Sequence, residues 1–392
     1  MPITFSEHLI ADKYGYTFGL AAVDIDGDGD LDLTNPDIQN KSTSTLHWFD
    51  NNGDGEFTRR VIHDGEPGWF ERHAIGDING DGLPDVAIVN NQKGQVVWFA
   101  NHEKPAEHKW QRYVITLECP AAYDVALGDF DGDGDLDAAT AGFSSNLVTW
   151  YENPGNAEPN EAWTRRVFDE NMPEARTMRG ADINGDGKID LLATAVRRDG
   201  DSINAQISQV VWYENSGELP AKPWIKHIID YEHSAAVHGN PVDLDGDGDL
   251  DVVMAHGMRV DVEPDIERHE IVWYEQRADG DQIVWTRHRV GPLPYAFEAN
   301  AADLDDDGDR DIIATSWSVG DSVVWFENTG DAAGEWTMHL LKDDFHAANQ
   351  IIAADLNGDE KLDIAATSDD GSRRVQGSLE MRWWRNEGRG EK

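Results

Sequence analysis

One nonapeptide limits what this chain can fold into more than any other feature. It reads Asp24-Ile25-Asp26-Gly27-Asp28-Gly29-Asp30-Leu31-Asp32, and six further copies begin at Asp77, Asp129, Asp182, Asp243, Asp303 and Asp355. The intervals between copies are 53, 52, 53, 61, 60 and 52 residues. Acidic or amide oxygens stand at positions 1, 3, 5 and 9 of every copy, with Gly at position 4 or 6. Alternating oxygens around a sharp Gly turn suit a hard cation, and Ca²⁺ takes six to eight oxygen ligands. The candidate ligands are Asp24, Asp26, Asp28 and Asp32 in the first loop, and Asp77, Asn79, Asp81 and Asp85 in the second. The third loop offers Asp129, Asp131, Asp133 and Asp137, and the fourth Asp182, Asn184, Asp186 and Asp190. The fifth offers Asp243, Asp245, Asp247 and Asp251, the sixth Asp303, Asp305, Asp307 and Asp311, and the seventh Asp355, Asn357, Asp359 and Asp363. Up to seven structural Ca²⁺ ions are expected, since all loops share one design. The loop lacks the position-12 Glu of an EF-hand, and apolar runs flank it, as in Val86-Ala87-Ile88-Val89. That pattern predicts strand, loop, strand.

Two more landmarks follow each loop. The first is a short aromatic run, as in Leu46-His47-Trp48-Phe49, Val96-Val97-Trp98-Phe99 and Val323-Val324-Trp325-Phe326. β-branched and aromatic runs ending in Asn or Gly turns have strand chemistry. The seven Trp are expected to fill the space between units. The second is a polar-flecked strand, such as Trp163-Thr164-Arg165-Arg166-Val167-Phe168, suited to an outer edge. Six copies lie in order, and the seventh is displaced to the N-terminus as Ile3-Thr4-Phe5-Ser6-Glu7-His8-Leu9-Ile10. Four strands per unit and seven units predict an all-β, seven-bladed β-propeller over residues 1–392, a single domain. The N-terminal strand closes the last blade, whose other three strands come from residues 345–386.

The seven Asp-x-Asp/Asn-Gly-Asp-Gly-x-x-Asp loops resemble those of FG-GAP (VCBS-type) repeat propellers, and they cover essentially the whole chain. The resemblance implies integrin-like calcium loops on a propeller. At fold level the chain also resembles propeller polysaccharide lyases and the propeller of aldos-2-ulose (anhydrofructose) dehydratases. Two copies depart from the pattern: Asp306 replaces the first Gly of the sixth loop, and Glu360 the second Gly of the seventh. Weaker ion binding is expected in both.

Net charge is −44, and seven Ca²⁺ would leave about −30. Such acidity argues against nucleic acid, whose phosphates need a basic footprint. It argues equally against anionic membrane surfaces. The single cysteine, Cys119, permits no internal disulfide. No stretch approaches 18 apolar residues, so membrane insertion is not expected. No basic, then apolar, leader is visible, which points to the cytoplasm; a trimmed leader would make the protein secreted or periplasmic. A monomer is expected.

The acidic loop joins first and second strands, so function is expected at the other blade end. Five residues before each loop stand Gly19, Arg72, Asp124, Thr177, His238, Glu298 and Gln350. Three before stand Ala21, Ala74, Ala126, Arg179, Asn240, Asn300 and Ile352. Period-two alternation would turn this parity to a central channel. The rims add Glu71, His73, Tyr123 and Arg176, with His256 at a second-strand end. Inserts at 197–208 and 258–270 would overhang the same mouth.

Two functions compete. The first is a lyase or dehydratase that eliminates across a uronate or keto-sugar at a central site. There Arg72, Arg176 or Arg179 would steady the enolate-like charge, and His238, His256, His73 or Tyr123 would move the proton. The His residues also offer ligands for a second divalent metal at the central site. The second is a non-catalytic module binding carbohydrate or protein. The expected partner is a carbohydrate or sugar-derived small molecule.

Overall fold

The computed structural model describes residues 3–39, 42–155, 162–198, 206–233, 235–257, 269–280, 282–318, 320–369 and 379–389. They form 28 strands in seven four-stranded antiparallel sheets. Blade one holds β2 (Ala21–Val23), β3 (Asp32–Gln39), β4 (Thr43–Asn51) and β5 (Phe57–Pro67). Blade two holds β6 (Phe70–Gly76), β7 (Asp85–Asn90), β8 (Gln95–Ala100) and β9 (Gln111–Thr116). Blade three holds β10 (Ala122–Gly128), β11 (Asp137–Gly142), β12 (Val148–Glu152) and β13 (Thr164–Asp169). Blade four holds β14 (Met178–Ala181), β15 (Asp190–Arg198), β16 (Gln206–Glu214) and β17 (Ile225–Asp230). Blade five holds β18 (Ala236–Val242), β19 (Asp251–His256), β20 (Glu270–Asp279) and β21 (Gln282–Pro292). Blade six holds β22 (Ala296–Ala302), β23 (Asp311–Ser316), β24 (Ser322–Glu327) and β25 (Thr337–Lys342). Blade seven has the order β1 (Ile3–Tyr14), β28 (Leu379–Arg389), β27 (Asp363–Ser368), β26 (Ala348–Ala354). The fold is therefore the expected all-β seven-bladed propeller, and the N-terminal strand completes its last blade.

The register explains the recurring Trp. In blades two, three and seven the Trp stands opposite an Ala on the second strand: Ala87 with Trp98, Ala139 with Trp150, Ala365 with Trp383. On its other side stands a ring or guanidinium of the fourth strand. His227, His288 and His339 stack on Trp212, Trp273 and Trp325 at centroid distances of 4.4, 4.6 and 4.3 Å. Tyr113 does so on Trp98 at 4.7 Å, and His8 on Trp383 at 4.8 Å. All seven Trp are at most 3% exposed. They serve packing, as the sequence suggested, and offer no open face for a sugar.

The residues divide into two compact units, each with its own cores. One comprises 1–40, 48–60 and 237–392, the other 41–47 and 61–236. In the second unit, one core joins blades two and three through Val89, Trp98, Val125 and Tyr151. Another joins blades three and four through Ala126, Trp150, Met178 and Leu191. The first unit has cores between blades five and six, six and seven, and seven and one.

These cores correct the parity drawn from alternation. Val125, four residues before its loop, packs toward blade two, whereas Ala126, three before, packs toward blade four. Both faces of blade three are covered by neighbours, so alternation chooses which neighbour a side chain meets. Of the two inserts, 199–205 and 258–268 lie outside the described residues.

Candidate metal-binding loops and a buried arginine cluster

Each acidic loop is folded by its own carboxylates. Asp24 accepts the N–H of Gly27 at 2.8 Å and of Gly29 at 3.1 Å, and Asp129 accepts those of Gly132 and Gly134 at the same distances. In the second and fourth loops the first of these bonds moves on by one residue: Asp77 accepts Asp81 N–H at 3.0 Å and Gly82 N–H at 2.9 Å, and Asp182 accepts Asp186 and Gly187 N–H, both at 2.9 Å. Asp306 (φ 56°) and Glu360 (φ 68°) take the left-handed backbone that Gly fills elsewhere. The loop shape survives both substitutions at a conformational cost.

Position 9 has a uniform role. In all seven copies one oxygen of this Asp accepts the N–H of loop residue 2, and the other accepts an N–H at the end of the third strand. For Asp32 the donors are Ile25 at 3.0 Å and Asn51 at 2.8 Å. For Asp311 they are Leu304 at 3.2 Å and Asn328 at 2.8 Å. These seven carboxylates are at most 1% exposed. Burial is the largest influence on each, partly opposed by the N–H donors. It pushes Asp32, Asp85, Asp137, Asp190 and Asp251 up to about 7, Asp311 to about 8 and Asp363 to about 6.

The loop oxygens converge. Ligand atoms of Asp24, Asp26 and Asp32 lie within 4.8 Å of one another, as do those of Asp129, Asp131 and Asp133. The same holds for Asp243, Asp245 and Asp251, and for Asp303, Asp305 and Asp307. Oδ1 of Asp26 and Oδ1 of Asp305 are buried and meet no hydrogen-bond donor. A buried carboxylate oxygen without a donor is costly, and a cation removes that cost. An all-oxygen donor set with such orphaned atoms fits Ca²⁺. Among the described residues, the groupings that converge at metal-ligand distances all belong to these loops.

The sequence reading missed the residue that ties the loops together. Three residues after each Trp stand Asn51, Asn101, Asn153, Asn215, Gln276, Asn328 and Asn386. Asn153 donates from Nδ2 to Leu136 O of its own loop at 3.0 Å and to Ile78 O of the preceding loop at 3.2 Å. Asn215 does the same with Ile189 O and Phe130 O, at 3.2 and 2.7 Å. Asn51 links Leu31 O to Leu356 O, and Asn386 links Leu362 O to Leu304 O. The signal was present in the sequence as a Trp-x-x-Asn spacing, but it read as a turn former.

The candidate catalytic residues fall in both units. In the unit holding blades two to four, Glu71, Arg72, Tyr123, Asp124 and Arg176 are buried. His73 and Arg179 keep partial exposure. Arg179 Nη1 bonds Asp124 Oδ2 at 2.5 Å and Met178 O at 2.8 Å, and Met178 N–H donates to the same Asp124 oxygen at 3.1 Å. Arg176 lies 5.1 Å over the Phe143 ring and 3.4 Å from Glu174 Oε2. Burial, reinforced by Glu71, pushes the Tyr123 hydroxyl up. Burial lowers Arg176 and pulls His73 down to about 4, with Asp124 opposing and Arg72 adding to the His73 shift. Arg72, His73, Tyr123, Asp124 and Arg176 thus belong to one electrostatic neighbourhood, to which the ion pair joins Arg179.

His238 and His256 belong to the other unit. His238 is 0% exposed and sits edge-on to Phe297 at 5.0 Å. His256 is 1% exposed, and its Nε2 lies 3.1 Å from the Tyr274 hydroxyl. Polar first-strand residues of blades six and seven also bond to each other: Gln350 Nε2 donates to Glu298 Oε2 at 3.2 Å, and Asn300 Nδ2 to Ile351 O at 2.5 Å. Arg197 and Arg198 lie on β15.

Seven four-stranded blades, each with an acidic cation-type loop between first and second strands, define a propeller of the repeat-loop class. The profile of the FG-GAP-like repeat matches residues 38–88, 77–140, 129–193, 182–254, 243–314 and 303–366. The chain belongs to that family. No curated protein compared with it matches. Among solved structures it is similar to BBS1N, crystallised in complex with ARL6DN, at 10% identity and a TM-score of 0.53, over 96% of this chain and 95% of that one. It also aligns with the V. cholerae biofilm matrix protein Bap1 at 12% identity and a TM-score of 0.44, over 99% and 92% of the two chains. At such identity the likeness to BBS1N concerns fold alone.

Proposed function

We propose that this chain is a calcium-stabilised propeller that serves as a binding module for an oxygen-rich ligand of carbohydrate type. The observation that carries the calcium reading is the convergence of loop carboxylates around buried oxygens that lack donors, Asp26 Oδ1 and Asp305 Oδ1. In this reading positions 1, 3, 5 and 9 hold the ion, and the ion neutralises carboxylates that burial otherwise disfavours. The ligand reading rests on the half-buried Arg179, paired with Asp124, and on the buried Arg72 and Arg176, which share one electrostatic neighbourhood with Tyr123 in a strongly acidic chain. Guanidinium forks and a phenol suit carboxylate and hydroxyl oxygens.

Elimination chemistry is the second reading, because the same neighbourhood contains His73 and Tyr123. Its electrostatics favour binding. A Tyr pushed up is a poor base at neutral pH, and a His drawn down to about 4 has little proton affinity. His238 and His256 are buried, the first against Phe297 of blade six and the second against Tyr274 of its own blade.

The test is calorimetric titration with calcium chloride, followed by a panel of neutral and uronate-containing oligosaccharides. Absorbance of unsaturated elimination products is recorded in parallel. Calcium uptake and sugar binding with flat absorbance is the expected result. At a hundredfold excess over Kd each ion adds about 2.7 kcal/mol, so a chelator should lower the melting temperature clearly. Rising absorbance would transfer the assignment to a lyase. Melting indifferent to calcium would remove the calcium reading, and calcium uptake with no sugar bound would remove the ligand reading.

A further inference from the structure

The sixth loop has the most carboxylates of the seven, Asp303, Asp305, Asp306, Asp307, Asp309 and Asp311 in nine residues, with Arg310 among them. It also receives a cation from the protein itself. Arg389, the last residue of β28, places Nη2 2.5 Å from Asp305 Oδ2 and 3.4 Å from Asp307 Oδ2. The same strand touches the loop a second time, through Asn386 Nδ2 on Leu304 O at 2.7 Å. The Asp305 side chain is only 2% exposed, and its Oδ1 is the buried oxygen without a donor. Arg389 therefore engages one Asp305 oxygen and leaves the other aimed into the loop.

The sequence marks this arrangement as a departure from the repeat. Three residues past the tying Asn or Gln, blades one, four, five and six carry the acids Asp54, Glu218, Asp279 and Asp331; the last blade carries Arg389, and the other basic residue at this position, Lys104 of blade two, pairs with Glu107 at 3.4 Å instead of with a loop. A guanidinium and a divalent ion compete for the same carboxylates. Arg389 is half exposed, so it can leave Asp305 for water at modest cost.

We infer that Arg389 is a tethered counter-ion of the sixth loop, which a divalent cation must displace to load that site. This inference rests on the calcium reading above. It makes the sixth loop a weak, late-filling site despite its excess of acid. It also couples its filling to release of the end of β28.

The experiment compares the full chain with Arg389→Ala and Arg389→Lys. Each is titrated with calcium chloride by calorimetry. Separately, the wild-type chain is treated with limiting trypsin, and cleavage after Arg389 is followed by mass spectrometry. Arg389→Ala should tighten one site about three- to fivefold, the scale of an exposed ion pair, and leave the others unchanged; Arg389→Lys should fall between. Calcium should speed trypsin cleavage after Arg389 in the wild-type chain. Superimposable isotherms for wild type and Arg389→Ala, with calcium bound by both, would overturn the counter-ion role and leave the calcium reading intact. Slower cleavage in calcium would overturn the release. Absence of calcium binding by every variant would remove both readings together.

Discussion

A buried carboxylate that accepts two N–H bonds is still an expensive charge, and each of the seven acidic loops ends on one. Asp32, Asp85, Asp137, Asp190, Asp251, Asp311 and Asp363 each hold a third-strand end and a loop in place. Their folded values lie near 6 to 8, against about 4 for an unfolded Asp. Between those limits the native state binds more protons than the unfolded state. Without a divalent cation, stability must therefore fall as pH rises from about 4 to about 7. Carboxylates lowered by ion pairs, such as Glu66 with His63 and Arg112 and Glu270 with Arg287 and Arg289, act in the opposite sense at lower pH. Their contribution is lost below the ordinary carboxylate value. The melting temperature measured in chelator should thus peak near pH 5 and decline toward pH 7.5, and calcium should flatten that decline because the ion replaces the proton. A chelated protein whose melting temperature climbs steadily to pH 7.5 would contradict this account.

At the scale of the element, the unit is a loop, the strand pair it joins, and the Asn from the third strand. Asn153 hydrogen-bonds carbonyls of two consecutive blades while its own N–H holds Asp137 at 2.7 Å. Asn153→Ala removes both bonds to carbonyls, together with the Oδ1 acceptor of Gly155 N–H, and leaves buried carbonyls unsatisfied, at a cost of about 2 kcal/mol. Urea denaturation in excess calcium measures it, and a change below about 0.5 kcal/mol would show that the tie is dispensable. The strands are legible in the sequence because Trp, β-branched residues and Gly punctuate the repeat. The Asn tie is not, because its partner, such as Ile78 O, lies 75 residues away. The direction of the first-strand side chains is hidden for a related reason. Alternation along Val125 and Ala126 dictates that their side chains diverge, and only blade stacking decides that both meet neighbours.

At the scale of the molecule, the two chain ends share one sheet. β1 runs antiparallel to β28 from Ile3 opposite Arg389 to Tyr14 opposite Leu379. Deleting residues 1–14 would leave β28 as an open, unpaired edge. The truncated chain should associate through that edge, visible as oligomers by light scattering at concentrations where the full chain is not associated. A truncated chain that stays the size of the full chain and melts at the same temperature would show that β1 is decoration.

The sequence by itself determined the repeat, the blade count, the position of each cation-type loop and the displaced strand. These are local patterns, carried by residues within about 50 positions of one another, and a repeat states them seven times. The tertiary structure decided what single, unrepeated residues do. It placed Arg72, His73, Tyr123, Asp124, Arg176 and Arg179 in one neighbourhood of one unit, and it put His238 and His256 in the other unit, behind Phe297 and Tyr274. It also laid Arg389 on a loop more than 80 residues earlier in the chain. Such contacts arise from stacking between blades, and no spacing along the chain encodes them.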